Sequence, residues 1–154
     1  MKYQGVMLVC EDIERVKQFY HDILGLRVTM DLGVNITMTG GISFQTKDSW
    51  STFTSIENEA FQFGGLDKEL YFEEVEFDAF VEKLKGFPVT MINDVLEARW
   101  GQRCVRFLDP DQHMIEVGED LKSVAKRFEL QGMDEEAVAK RMEIPLKLAK
   151  HLLK

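Results

Sequence analysis

Phe107-Leu108-Asp109-Pro110-Asp111-Gln112-His113-Met114-Ile115-Glu116 reads as strand, tight turn, strand. Proline fixes φ, and aspartate side chains bond the backbone beyond them, so Asp109-Pro110-Asp111 pre-sets the turn. Side chains alternate along a strand. Met114 and Glu116 therefore share one face, and Ile115 and Val117 the other. A carboxylate on an inward strand face needs a partner: a metal, a basic side chain or a ligand. If the turn pairs Arg106 with Glu116, then Cys104, Arg106 and Leu108 look the same way as Glu116.

Upstream, the chain carries one pattern twice. Tyr3 to Cys10 alternates as a strand. Asp12 is placed to cap a helix whose apolar stripe is Ile13, Val16, Phe19, Tyr20, Ile23 and Leu24, closed by Gly25. Three short strands follow over 26–31, 33–39 and 41–46, divided by Gly33 and by Gly40-Gly41. Residues 68–75 then alternate again. Phe77, Phe80, Val81 and Leu84 form a helical stripe stopped by Gly86 and Pro88, and strands are predicted from Val89 to Met91 and over 94–98, 102–108 and 113–118. A shift of 64 residues maps Val6 onto Leu70, Ile13 onto Phe77 and Tyr20 onto Leu84. A shift of 61 maps Val28-Thr29-Met30 onto Val89-Thr90-Met91. The expected fold is α+β: two βαβββ repeats forming curved sheets around a central cavity, with residues 1–119 as the repeated domain and 120–154 as a C-terminal three-helix extension. Residues 47–66, with Trp50, Phe53, Phe61 and Phe63, read as a long connecting loop of the kind that serves as a lid.

This organisation resembles the vicinal-oxygen-chelate superfamily, which includes glyoxalase I, bleomycin-resistance proteins and extradiol dioxygenases. The resemblance covers roughly residues 3–119. It rests on the strand and helix from Val6 to Gly25, on Trp100-Gly101-Gln102-Arg103, and on Asp109-Pro110-Asp111 with Glu116. It implies a metal ligand from the first and last strand of each repeat. Those positions are Gly5, Gln45, Glu69 and Glu116. Glycine has no ligand atom, no histidine stands at any of the four, and His21, His113 and His151 lie elsewhere. An all-oxygen set of Gln45, Glu69 and Glu116 suits at most a hard divalent ion, so a metal cofactor is not the expected one.

Alternation supplies the rest of the expected pocket. Glu69, Tyr71 and Glu73 share a face, as do Gly5, Met7 and Val9. Glu69 and Glu116 are the candidate catalytic bases. Arg106, Gln45, Tyr71, Cys104, Trp100 and Met7 are the candidate ligand-binding residues. Two readings of Arg106 stand: it holds an anionic group of a ligand, or it forms an internal ion pair filling a former metal position. Trp100 and the loop aromatics either stack on a planar ligand or close the cavity. Cys104 reads as a small apolar lining group, and His113 as an exposed turn residue.

Net charge is −8 over 154 residues, unevenly spread. Residues 1–119 carry 11 basic and 21 acidic side chains, and residues 120–154 carry 8 and 6. The acidic body excludes a nucleic-acid surface there, and the weakly basic tail falls short of a DNA reader's footprint. In the tail, Leu121, Val124 and Phe128, then Val138 and Met142 after an Asp134 cap, then Leu148 and Leu152 after Pro145, mark three helices loosely resembling a helix-turn-helix unit. Their stripes are expected to pack on the body or a second copy. No apolar run approaches membrane-helix length, the N-terminus lacks a signal-peptide shape, and Cys10 and Cys104 show no paired spacing; the expected setting is the cytoplasm. The expected partners are a small organic ligand and a second copy in a homodimer, without nucleic acid or membrane. The expected activity is small-molecule binding with lyase or isomerase chemistry on a glutamate base. Drug or metabolite sequestration and a metal-dependent glyoxalase-type lyase are the alternatives.

Overall fold

The computed structural model describes residues 1–154, which fall into two compact units. The first comprises Met1–Lys68 with the turn Asp109–His113; the second comprises Glu69–Leu108 with Met114–Lys154. No helix is long and apolar enough to cross a membrane.

The first unit contains β1 (Val6–Cys10), α1 (Ile13–Leu24), β2 (Val28–Asp31), β3 (Asn35–Met38), β4 (Ile42–Thr46) and α2 (Lys47–Thr54). Its sheet has the order β1-β4-β3-β2, with β1 parallel to β4 and the other pairs antiparallel. Asp12 accepts from the Arg15 amide and caps α1, and Gly25 ends the helix in the left-handed region. The buried stripe of α1 is Ile13, Val16, Tyr20 and Ile23; the Tyr20 ring lies 4.7 Å from that of Phe44 on β4. The Tyr20 hydroxyl donates to Asp109 at 2.9 Å. Asp109 also accepts from the backbone amides of Asp111 and His113, which builds the turn that Asp-Pro-Asp predicts.

The second unit repeats this topology with β5 (Glu69–Glu74), α3 (Phe77–Leu84), β6 (Thr90–Glu97), β7 (Arg103–Leu108) and β8 (Met114–Glu119), in the order β5-β8-β7-β6. Phe77, Phe80 and Leu84 of α3 are buried, as are Val105, Phe107, Ile115 and Val117 of the sheet, and Phe80 meets Phe107 at 6.4 Å between ring centres. The opposite sheet face is the one that carries Glu69, Tyr71, Arg106 and Glu116.

Three sequence expectations change. Residues 47–66 are not one loop: Lys47–Thr54 is helical and Asn58–Ala60 forms a 3-10 turn, so the segment packs locally rather than hanging as a lid. The two strands expected over 89–91 and 94–98 are a single strand, β6, whose register slips between Met91 and Asn93 and again before Leu96. The tail helices α4 (Leu121–Leu130), α5 (Glu135–Met142) and α6 (Leu146–Leu152) build a core of their own from Val124, Ala125, Phe128, Val138, Ala139, Met142 and Ala149. Their stripes meet each other, which removes the need for the body to cover them.

Glu119 ties tail to sheet. Its buried carboxylate receives Arg103 at 3.1 Å and Arg127 at 2.9 Å, and Arg103 reaches on to Asp78 at 2.8 Å. Burial alone would raise the Glu119 pKa, but the two arginine hydrogen bonds outweigh it and hold the carboxyl below its ordinary value. The resulting stabilisation is complete above the unfolded value of 4.5 and is lost as pH falls through the lower folded value. We expect Glu119→Gln to destabilise the fold by about 2 kcal/mol, below the ~3–5 kcal/mol of a fully buried pair because both guanidiniums keep some solvent contact. Denaturant melts at pH 7 and at pH 3 check this: the gap between parent and variant should narrow in acid.

Candidate functional site

On the open face of the second sheet lies a cavity of about 470 Å3 lined by Glu69, Tyr71, Leu96, Glu97, Ala98, Trp100, Gln102, Cys104, Arg106 and Glu116. Strand register explains why these residues meet. Arg106 is directly opposite Glu116, Cys104 opposite Gly118, and Tyr71 opposite Glu116 on the parallel side. Glu116 thus sits at the sheet centre, flanked by both neighbours' inward side chains. Gly118 is required: a Cβ there would lie 2.9 Å from the Gln102 amide nitrogen and 3.2 Å from the Tyr71 ring.

Each nitrogen of the Arg106 guanidinium has a partner. Its Nε donates to Glu69 at 3.2 Å, its Nη1 to the Cys104 sulfur at 3.5 Å, and its Nη2 forms an ion pair with Glu116. Only 7% of Glu116 is exposed. Arg106 neutralises Glu116 through Oε2, which meets Nη2. Burial, opposed by Arg106 and reinforced by Glu69, leaves the Glu116 pKa above its ordinary value. Burial and the Glu116 charge also raise the Cys104 thiol, which makes it a poor nucleophile.

The polar groups of the far wall satisfy one another. Trp100 Nε1 donates to Gln102 Oε1 at 3.0 Å, Gln102 Nε2 donates to the Tyr71 hydroxyl at 2.7 Å and to the Glu119 carbonyl at 2.8 Å, and Tyr71 donates to Glu73 at 2.9 Å. Burial pushes the Tyr71 phenol up to about 12, so it stays protonated. The polar side chains of the far wall are thus engaged with one another, Glu69 and Glu116 share one guanidinium, and Glu97 is paired with Arg141.

Of the sequence candidates, Glu69, Tyr71, Trp100, Cys104, Arg106 and Glu116 come together here. Gln45 and Met7 belong to the first unit. Gln45 is buried, with Oε1 accepting from Asn35 at 3.0 Å and Nε2 donating to Ser49 at 2.8 Å. Met7 lines a smaller cavity of about 210 Å3 with Phe61, Phe63, Lys68 and His113. His113 is a correction: its side chain is only 13% exposed, and Nδ1 sits 2.8 Å from Asp109. Arg103 lies outside the lining and anchors Glu119. Gln102, Leu96, Glu97 and Ala98 are lining residues that periodicity does not reveal. For Gln102 the available signal is its place directly after Gly101, whose φ of +87° turns the chain back into β7.

A glyoxalase-like domain model matches residues 3–122. A protein of unknown function from Agrobacterium tumefaciens shares 32% identity, with 78% of this chain and 94% of that one aligned at a TM-score of 0.69. A glyoxalase/bleomycin resistance protein/dioxygenase family enzyme from Burkholderia phytofirmans aligns over 75% of this chain and 96% of its own at 16% identity and a TM-score of 0.66. A lactoylglutathione lyase from Agrobacterium tumefaciens aligns over 78% and 94% at 19% identity and a TM-score of 0.60. No curated protein matches the sequence.

The positions at which the family resemblance places metal ligands do not fit a metal. At Gly5, φ is +146° and a Cβ would stand 2.1 Å from the Gly41 carbonyl oxygen, so no side chain can be mounted there. The Gln45 amide is engaged, and Glu69 and Glu116 are both held by a fixed cation, Arg106. We expect Arg106→Ala to destabilise the fold by about 3 kcal/mol by leaving a buried carboxylate uncompensated. Glu116→Gln introduced with it should recover most of that loss, as a double-mutant cycle from thermal melts would read.

Proposed function

The chain belongs to the glyoxalase-like domain family, and within it we propose that it binds a small organic cation or other donor-rich molecule in the 470 Å3 pocket, without a metal and without chemical change to the ligand. One observation carries the reading: two carboxylates, Glu69 and Glu116, share the single guanidinium of Arg106, so this part of the pocket keeps an excess of negative charge. A cationic ligand would be drawn to that charge and would hydrogen-bond the partly exposed Glu69 carboxylate. Trp100 and Tyr71 offer π faces that also favour a cation.

The same inventory weighs against lyase or isomerase chemistry. Proton abstraction next to a carbonyl needs a donor at the oxygen where negative charge develops. The nitrogens of Arg106 already serve Glu69, Cys104 and Glu116, which favours the internal ion-pair reading of this residue over a hold on an anionic ligand. Glu116 has the raised pKa of a base but lacks an electrophilic partner. Sequestration therefore accounts for more of the geometry than turnover.

Titration calorimetry with three ligands of one shape tests this. Benzamidine should bind in preference to neutral benzamide, and benzoate should bind least. Glu116→Gln should weaken benzamidine about tenfold, because it removes the excess negative charge beside Arg106. Affinity should also fall as pH drops through the Glu116 pKa, which lies above 4.5, because protonation removes the acceptor charge. A preference for benzoate, or an unchanged affinity in Glu116→Gln, would overturn the proposal.

A further inference from the structure

The family match ends at residue 122, so nearly all of α4–α6 lies outside it. These helices nevertheless grip the one wall of the pocket that is not regular sheet. Residues 98–101 form a tight turn, with the Gly101 amide donating to the Ala98 carbonyl at 2.8 Å, and the segment from Glu97 to Gln102 supplies Glu97, Ala98, Trp100 and Gln102 to the lining. Arg141 of α5 donates to the Glu97 carboxylate and to the Arg99 carbonyl, both at 2.7 Å. Arg127 of α4 donates to the Gly101 carbonyl at 2.6 Å while also holding Glu119. Arg99 returns an ion pair to Glu143 at 2.7 Å.

Between the two arginines sits Phe128. Both guanidiniums lie over its ring, at 4.9 Å for Arg127 and 4.8 Å for Arg141. The ring fills the space beside Gly101 so closely that a Cβ on that residue would be 2.3 Å from Cζ. Three backbone or side-chain acceptors of the wall thus end on two arginines that both lie over an aromatic ring. The turn's own hydrogen bonds, from Gly101 to Ala98 and from Ala98 to Gln102, set its local shape; the arginine contacts fix where it stands.

Building on the pocket reading above, we infer that Arg127 and Arg141 are positioning residues for the ligand, and that the C-terminal helices form part of the binding site by holding the Trp100–Gln102 wall against β7 and β8. Arg141 also sets the charge of that wall. It neutralises Glu97, which would otherwise add an unpaired carboxylate beside Glu69 and Glu116, the pair that shares Arg106. The extension thereby shapes both the contour and the electrostatic preference of the cavity.

The experiment uses the full chain with Trp50→Phe, which leaves Trp100 as the sole tryptophan. Arg141→Ala is compared with Val138→Ala, a change within the apolar core that the tail helices build among themselves. Acrylamide quenching and emission anisotropy of Trp100 are read without ligand, and benzamidine affinity is read by calorimetry. We expect Arg141→Ala to raise quenching, lower anisotropy and weaken benzamidine, with partial rescue by Arg141→Lys. Val138→Ala should lower the melting temperature yet leave Trp100 and the affinity unchanged below it. Equal Trp100 behaviour in Arg141→Ala and its parent would overturn the inference, as would equal changes in both variants. If the parent itself fails to bind benzamidine, the proposed function fails, while the Trp100 readouts still decide whether the tail positions the wall.

Discussion

A single guanidinium held between two carboxylates is the constraint on which the second unit's chemistry depends. Glu116 occupies the centre of a sheet face, where an unpaired carboxylate would be costly. Arg106 stands directly across the strand pair and neutralises it, and Nε of the same side chain reaches Glu69. A buried pair of this kind adds little to stability by itself, because desolvation offsets the attraction. Its consequence is chemical. A fixed organic cation fills the place where family resemblance puts a metal, and two carboxylates share its one charge.

Much of this could be read from the chain. The period-two alternation after Asp109-Pro110-Asp111 put Glu116 on the inward face, and the turn length set Arg106 opposite it. The duplicated strand-helix pattern likewise led to two sheets of identical strand order. The elements that were not legible lack a local signal. Lys47–Thr54 is polar and aromatic with no apolar stripe, and it has no buried residue, so its helix does not announce itself. The register slips within β6 break the alternation that would mark one strand. His113 is covered because Asp109 accepts from it, and Asp109 in turn is fixed by Tyr20, 89 residues away in sequence.

The tail illustrates the same limit from the other side. Its cap at Asp134 and its apolar stripes are visible in the sequence, and its three helices form where those marks place them. The partners of its arginines are not visible. Arg141 meets residues 42 and 44 positions earlier, and nothing about a lysine- and arginine-bearing helix says which carbonyls it will reach. The stacking of both guanidiniums on Phe128, and the glycine that makes room for that ring, emerge only when the turn and the helices are seen together.

The most direct measurement of the central claim is a crystal structure at neutral pH from crystals soaked in manganese, with anomalous scattering used to locate the ion. The account predicts the Arg106 guanidinium between Glu69 and Glu116 and no anomalous peak beside either carboxylate. A manganese peak bound by Glu69 or Glu116, with Arg106 turned away from them, would contradict it.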